Sequence, residues 1–355
     1  MLAFARSGTA RLLRASGVLG LRRAMQRRRI LILTYHGVLP DGTGHPYLSR
    51  NFVERSAFET QMRFLASAFR CLPLSEVVSL LVRGRALPER VAVVTFDDGY
   101  RNNLTEAGPI LKRHRIPATI FLATGHIGGG VRMIWPERVA WALSNARTDR
   151  IEIDLAGGRW AQDLLREQDR ERASRDLLKR LKRLPPDEYE PAVAQLEELC
   201  GAASMPDPVR YAFLDWDEVS RMDGDGTFEF GSHTVGHVIL GPADPHRRRA
   251  EVFESKAVLD AVLRQPCRLF AYPNGEARDF DKVDRLNLME AGYSCALSQI
   301  AGLNDGATPR YALRRLNVGR AHAGPIFEAL ASVAWPPSAL FPSNSTGFGR
   351  FSGER

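Results

Sequence analysis

The stretch that decides the fold is "VAVVTFDDGY", residues 91–100, in which a strand-like run leads directly into two aspartates and a glycine. An apolar run of this kind is typical of a strand that is covered on both faces in a parallel sheet. Two adjacent carboxylates repel each other, and their burial is unfavourable without compensation. The stretch therefore predicts either a solvated turn or a site that gives Asp97 and Asp98 a metal or a catalytic task.

The sequence on either side of this strand predicts an α/β fold. Strand-like runs alternate with helical ones, as where "NLTEAGPILKRHRI" is followed by "PATIFLATG", and this alternation indicates βαβ units with a parallel sheet. We count about six to eight such units, which favours closure into a barrel. Residues 151–205 break the rhythm with a short hairpin and a charged helical segment, which we interpret as a helical insertion.

The positive charge of the chain is concentrated at its N-terminus. The 355 residues carry a formal net charge of +8, and eight of the 49 Lys and Arg residues lie in residues 1–29, which contain no acid. The rest of the chain has as many basic as acidic residues, which argues against a nucleic-acid-binding protein. The basic segment permits contact with anionic lipid, and a disordered tail and an organellar transit peptide are the alternatives.

We expect a basic N-terminal arm (1–29), a catalytic domain (30–335) with the insertion at about 151–205, and a disordered tail (336–355). No apolar run reaches the roughly 18 to 20 residues needed to span a bilayer, and no clear signal peptide is present. The four cysteines are scattered without a CxxC pair, which fits a reducing compartment. These patterns favour a cytoplasmic protein, with peripheral membrane contact through the arm as an option, and specify no oligomeric state.

Polar residues follow four predicted strands, and the carboxyl ends of parallel strands are where sites gather in such folds. The segments are His36 after "LILTY", Asp97–Asp98 after "VAVVTF", "SHTVGH" with His233 and His237, and "YPNG". The i, i+4 spacing of the two histidines would place both imidazoles on one face of a helical turn. With one carboxylate they make a three-ligand metal set, and the second carboxylate is then free to act as a general base.

Three of these motifs, "TFDDGY", "SHTVGH" and "FAYPNG", resemble in order the first three motifs of the polysaccharide deacetylases, carbohydrate esterase family 4 or NodB homology domain. The resemblance spans roughly residues 30–320 and implies a distorted (β/α)7 barrel. It also implies that Asp97 is the catalytic base and that Asp98, His233 and His237 bind a divalent metal. Zn²⁺ is the first choice for that metal, with Co²⁺ or Ni²⁺ as alternatives.

The same resemblance suggests further roles around the groove. The residues Tyr272, Pro273, Asn274 and Gly275 correspond to one wall, and a backbone N–H near Asn274 would hold the oxyanion. Trp135 is a candidate stacking face for a sugar. For the acid that protonates the leaving amine, His36 is our choice because of its Tyr-His context, and His322 in "GRAHAG" is the second candidate.

One position departs from the family pattern. Many members carry an arginine that orients the base just before the proline pair of motif three, and here that position is Ala271. Arg268 lies three residues earlier, and Arg314 and Arg315 are the other candidates for this role. The sequence leaves the choice open.

The predicted function is metal-dependent removal of N-acetyl groups from an amino-sugar glycan, which is a polysaccharide, an oligosaccharide or a lipid-linked sugar. A role in exopolysaccharide synthesis follows only by analogy with the family. Three alternatives remain at this level. They are a metal-dependent hydrolase of a non-sugar amide or cyclic imide, a non-catalytic glycan-binding relative, and a purely structural α/β protein that binds no metal.

Overall fold

The structure, a computed structural model, describes residues 2–45, 47–128, 133–155, 157–201 and 207–333. The predicted tail, 336–355, lies outside these residues. The strands are β1 (Ile30–Tyr35), β2 (Gly37–Leu39), β3 (Phe52–Glu54), β4 (Arg70–Cys71), β5 (Val91–Phe96), β6 (Ala118–Leu122), β7 (Arg150–Leu155), β8 (Gly158–Asp163), β9 (Phe228–Ser232), β10 (Leu269–Ala271), β11 (Cys295–Leu297) and β12 (Leu316–Asn317). The α-helices are α1 (Leu2–Ala15), α2 (Val18–Met25), α3 (Arg55–Ala68), α4 (Leu74–Val82), α5 (Gly108–His114), α6 (Trp135–Ser144), α7 (Glu167–Leu181), α8 (Pro186–Cys200), α9 (Pro208–Tyr211), α10 (Trp216–Met222), α11 (Pro245–Val262), α12 (Lys282–Glu290) and α13 (Pro325–Val333).

The main sheet is a curled barrel of parallel strands in the order β11-β10-β9-β6-β5-β1-β12, with β4 added beside β5. A parallel bridge between Leu297 and Leu313 connects β11 to the segment that leads into β12, so the two ends of the sheet meet. Helices such as α3, α5 and α11 cover the outside. The arrangement confirms the predicted distorted (β/α)7 barrel.

Strand β5 shows how the sequence positions the site. Val91 and Val93 pack on one face with residues of α4, whereas Ala92 and Val94 pack on the other face with the outer helices. Since side chains alternate along a strand, Asp97 continues the face of Val91 and Val93. The β1–β5 pairing keeps the two strands level at their carboxyl ends, where the Asp97 amide donates to the Tyr35 carbonyl at 2.9 Å.

The predicted insertion folds into a small unit between β6 and β9. Its hairpin, β7 with β8, is antiparallel, and α6, α7 and α8 pack beside it around a core of their own. Trp160, Leu177 and Val193 belong to this core, and so does Ile239 from the loop that follows β9. The insertion is therefore anchored next to the "SHTVGH" motif.

The predicted basic arm is helical. Ala10 of α1 and Leu19 of α2 are buried against Ala329 of α13, and Arg14 pairs with Glu328 at 3.2 Å. The expectation of a disordered tail is therefore wrong for the described part of this segment, which packs as two helices. Among the described residues, none of the helices combines the length and apolar character that crossing a bilayer requires.

Candidate active site

Asp97 is held by a buried arginine. Arg315, which immediately precedes β12, donates from its two terminal nitrogens to the two carboxylate oxygens of Asp97 at 2.7 and 2.9 Å, and its Nε donates to the Ser298 carbonyl at 2.9 Å. Its side chain is fully buried. Arg268 and Arg314 are exposed, so Arg315 is the arginine that the structure places against the predicted base.

The two aspartates differ in their electrostatic surroundings. Burial would raise the pKa of Asp97, but the charge and hydrogen bonds of Arg315, together with the nearby His233 and His36, outweigh this effect and the pKa is lowered. Burial, reinforced by the charge of Asp97, raises the pKa of Asp98 well above its usual value. Asp97 is therefore the carboxylate that the protein alone keeps ionised, whereas Asp98 needs a cation.

Asp98, His233 and His237 form a buried cluster in which their ligand atoms lie within 4.8 Å of one another. Asp98 Oδ1 is 3.6 Å from His233 Nε2 and 3.4 Å from His237 Nε2. Burial lowers the pKa of His237 well below its usual value, so its imidazole is neutral, as a metal ligand must be. The cluster brings together the three residues that the resemblance assigns to the metal.

The hydrogen bonds in this cluster fit a metal. The Nδ1 of His233 lies 2.7 Å from the Ala271 carbonyl, which fixes a proton there and leaves the Nε2 lone pair facing Asp98. Asp98 Oδ1, although buried, has no hydrogen-bond partner among the described residues. An acceptor-only oxygen beside an imidazole lone pair is unfavourable without a cation between them, so the residues present suit a divalent ion.

The predicted helical turn at His233–His237 is wrong. The segment is a loop in which Thr234 and His237 have positive φ angles of 66° and 56°, and these turns fold His237 back until its ring centroid is 5.0 Å from that of His233. Glu251 of α11 supports the loop by accepting from the amides of Val235 and Gly236 at 2.7 and 2.9 Å. Glu251 gave no signal in the sequence because it lies far beyond the motif.

The "YPNG" segment forms a tight turn beside the cluster. Asn274 and Gly275 have positive φ angles of 59° and 63°, and a Cβ at Gly275 would approach the Gln299 amide nitrogen to 2.8 Å. The side-chain amide of Asn274 donates to Asp279 at 2.5 Å. Among the described residues, the backbone N–H of Asn274 makes no hydrogen bond, which leaves it available to an acceptor.

Aromatic residues predicted near the substrate lie inside the protein. Trp135 belongs to the core of the insertion, where its ring stacks on Tyr189 at a centroid distance of 4.6 Å. Tyr272 is buried, stacks on Phe280 at 4.0 Å and donates to the Tyr311 carbonyl at 3.0 Å. Pro273 is buried too, so Asn274 is the more open residue of this wall.

The two predicted acids follow two neighbouring strands of the barrel, β1 and β12. His36 directly follows β1, and burial lowers its pKa to about 4 despite the nearby charge of Asp97. His322 follows β12, where its Nδ1 accepts from the Gly319 amide at 3.0 Å. Its Nε2 therefore carries the ring proton in the neutral form.

Two residues that the sequence analysis missed reach the site. Gln299, which follows β11, donates from Nε2 to Asp97 Oδ2 at 3.3 Å. Lys182, at the end of α7 in the insertion, donates to the side-chain oxygen of Asn274 at 2.6 Å. Both belong to segments without a recognisable motif, so only their three-dimensional placement identifies them.

The chain belongs to the polysaccharide deacetylase family, since the family model "Polysaccharide deacetylase" matches residues 84–295. The chain is 21% identical to YxkH of Bacillus subtilis (strain 168), a protein assigned to the same family, over 303 residues that cover 85% of this chain and 75% of the relative. It is also 39% identical over 77 residues to the poly-beta-1,6-N-acetyl-D-glucosamine N-deacetylase of Staphylococcus aureus (strain MSSA476). That match covers 21% of this chain and only 26% of the relative.

Solved structures share the fold. The deacetylase PplD of Streptococcus pyogenes, solved with acetate, has a TM-score of 0.55 at 18% identity and covers 86% of this chain and 99% of its own. IcaB from Ammonifex degensii has a TM-score of 0.55 at 20% identity and covers 86% and 97%. At these identities the likeness supports the barrel fold alone.

Proposed function

We propose that the protein is a hydrolase that removes N-acetyl groups from an amino-sugar glycan with the help of a divalent metal. The observation that carries this proposal is the division between two adjacent carboxylates: Asp98 faces two neutral imidazoles, and Asp97 is paired with Arg315. Family membership supports hydrolysis. The name of the Staphylococcus aureus relative supports an N-acetylglucosamine polymer as the substrate class.

In this proposal Asp98, His233 and His237 hold the metal. Two imidazoles and one carboxylate suit Zn²⁺ first, with Co²⁺ or Ni²⁺ as alternatives. When bound, such an ion supplies Lewis-acid chemistry, which polarises the acetyl carbonyl and favours deprotonation of water. His233 is aligned for this role by its bond to the Ala271 carbonyl.

Asp97 is the proposed general base. The Arg315 pair keeps it ionised at neutral pH and fixes its orientation, so it can take a proton from the attacking water. The free N–H of Asn274 is the proposed donor to the oxyanion that forms at the acetyl carbon, an interaction worth roughly 3 to 4 kcal/mol in comparable sites.

The leaving amine needs a proton, and His36 is our first candidate to give it. Because burial keeps His36 neutral at pH 7, it must first gain a proton, and the proton that Asp97 takes from water is the nearest source. His322 is the second candidate, and it too must gain a second ring proton before it can donate one from Nε2. The kcat values of His36→Ala and His322→Ala distinguish them, since loss of the true acid should lower kcat roughly 100- to 10,000-fold and loss of the other should leave it nearly unchanged.

The test of the function is acetate release from N-acetylglucosamine oligomers and lipid-linked amino sugars, with and without a chelator. We expect activity that the chelator removes and that added Zn²⁺ restores. Asp97→Asn should lose roughly 100- to 10,000-fold in kcat while still binding the metal. Undiminished activity in this variant would contradict the role of Asp97.

A panel of substrates separates the alternatives. Turnover of cyclic imides or simple amides without turnover of acetylated sugars would make the protein a non-sugar amidase that uses the same ligand set. Binding of glycan without release of acetate from any substrate would make it a non-catalytic relative. The buried cluster of Asp98 with two histidines, next to an ionised Asp97, favours the enzyme.

We also propose that α1 and α2 contact an anionic membrane surface on the cytoplasmic side. Leu12, Leu21 and Met25 are 72%, 64% and 72% exposed on this arginine-rich helical pair. Exposed apolar side chains among arginines are typical of helices that lie in a lipid interface. The four cysteines are free thiols, which supports a reducing compartment.

A further inference from the structure

One residue of the insertion reaches the wall of the active site. Lys182, the first residue after α7, donates from Nζ to the side-chain oxygen of Asn274 at 2.6 Å. Asn274 is otherwise held by Asp279 and carries the free backbone N–H described above. The barrel and the insertion thus meet at the residue that stands beside the reacting group.

The ammonium group of Lys182 is incompletely satisfied. The side chain is partly exposed, but its charged end lies deep enough for burial to lower its pKa, and it is close enough to His36 and His237 to lower theirs. Among the described residues, no carboxylate lies within 4.0 Å of Nζ, although the charges of Glu276 and Asp279 act on it from a greater distance, and Asn274 is its only hydrogen-bond partner. An ammonium group has three donors, so two of those of Lys182 remain open to water or to a ligand.

We propose that Lys182 is a specificity-determining residue that binds a hydroxyl oxygen of the sugar carrying the N-acetyl group. This inference rests on the proposed function. The acetyl group must lie between Asp98, Asp97 and the Asn274 N–H, so the attached sugar extends towards the neighbouring side chains of the wall. Lys182 stands in that wall with donors to spare, and sugar hydroxyls are acceptors that a small acetyl compound lacks.

The test compares Lys182→Met with wild type on two substrates, N-acetylglucosamine oligomers and 4-nitrophenyl acetate. Methionine keeps much of the volume but has no donor. We expect KM for the oligomers to rise about 10- to 100-fold with kcat changed only a few-fold, because a hydrogen bond to a charged group is lost. The loss in kcat/KM on the oligomers should exceed any loss on the ester by at least about 10-fold.

The matched control is Lys179→Met, which removes an exposed lysine one turn earlier on α7 and should leave both substrates unaffected. An unchanged KM in Lys182→Met would overturn the proposal. An equal fall in kcat on both substrates would also overturn it. If Lys182 only positioned Asn274, its loss would impair the hydrolysis of any acetyl group.

A binding measurement separates failure of this inference from failure of the proposed function. If wild type releases no acetate, the proposed function fails, and calorimetry of the same oligomers with metal-loaded Asp97→Asn and Asp97→Asn/Lys182→Met proteins tests Lys182. An affinity at least 10-fold weaker in the double variant supports the inference. Equal affinities, or no binding to either protein, overturn it.

Discussion

The pair formed by Asp97 and Arg315 contributes to the stability of the fold and also keeps Asp97 ionised. The pair is buried and bidentate, the geometry in which a guanidinium binds a carboxylate most strongly. Removing one member of such a pair costs about 3 to 5 kcal/mol because the other charge stays buried. The ionisation of Asp97, the proposed catalytic base, is therefore sensitive to any change in Arg315.

Arg315→Lys tests this dependence while keeping a positive charge. We expect kcat to fall roughly 100-fold, since a single donor cannot fix both oxygens of Asp97. Asp97 must be ionised to act, and weaker pairing lets burial raise its pKa, so the acid limb of the kcat/KM profile should move to higher pH. The control is Arg314→Lys, which changes the exposed neighbour; an acid limb that does not move in Arg315→Lys would contradict the assignment.

At the residue scale the sequence predicted the residues that form the buried cluster but could not select the arginine that pairs with Asp97. Asp97 and Asp98 follow a strand that is recognisable from its apolar run, so their position at the mouth of the barrel could be foreseen. Arg315 and Asp97 are 218 positions apart, and their contact depends on how the barrel closes. Local patterns carry no information about that closure, and three arginines therefore remained candidates.

At the scale of elements, α11 determines the shape of the metal-binding loop. Glu251 accepts from two consecutive amides of the loop and is itself paired with Arg247 at 2.9 Å. This contact stabilises the turns that bring His237 to His233. The two imidazoles are therefore brought together by a buried carboxylate on α11 and not by a helical turn within the motif. This explains why the i, i+4 spacing of the histidines was misleading.

Glu251→Ala should therefore weaken metal binding without removing a ligand. We expect the Zn²⁺ affinity to fall about 10- to 100-fold, which is typical of the loss of groups that orient ligands. Glu254→Ala on the same helix is the control, because Glu254 is exposed. Competition with a chromogenic chelator measures both variants, and equal affinities would mean that the loop holds its shape without Glu251.

At the scale of the whole molecule, the proposed metal site would link two strands that are not direct neighbours, since β6 lies between them. Asp98 follows β5, and the two histidines follow β9, so an ion bound between them links the carboxyl ends of two strands. Zn²⁺ at about 100 times its Kd should stabilise the fold by about 2.7 kcal/mol and raise Tm by about 5 °C. Differential scanning fluorimetry should show no such shift in Asp98→Asn; an equal shift there would place the ion elsewhere.

The N-terminal helices make a second prediction at this scale. Wild type should sediment with vesicles that contain phosphatidylserine and remain free of pure phosphatidylcholine vesicles, with binding that weakens as salt rises. Replacing Leu12, Leu21 and Met25 by serine should reduce binding about 10-fold or more. The control replaces Leu286 and Met289 of α12, each 53% exposed, and should bind like wild type. Equal binding of wild type to both kinds of vesicle would contradict the proposed contact.

The hydrogen bond from His233 to the Ala271 carbonyl allows the side chain at position 271 to vary between related proteins. Because the main chain aligns the imidazole, the side chain at position 271 is free to change without disturbing the ligand. The positive charge that holds Asp97 comes here from Arg315, which lies on the other side of β11 from position 271. This different origin of the arginine leaves the cluster of Asp98 and the two histidines unchanged. A search that asks for an arginine at a fixed place in the third motif would classify this chain as defective. A search outward in space from the base finds a complete site.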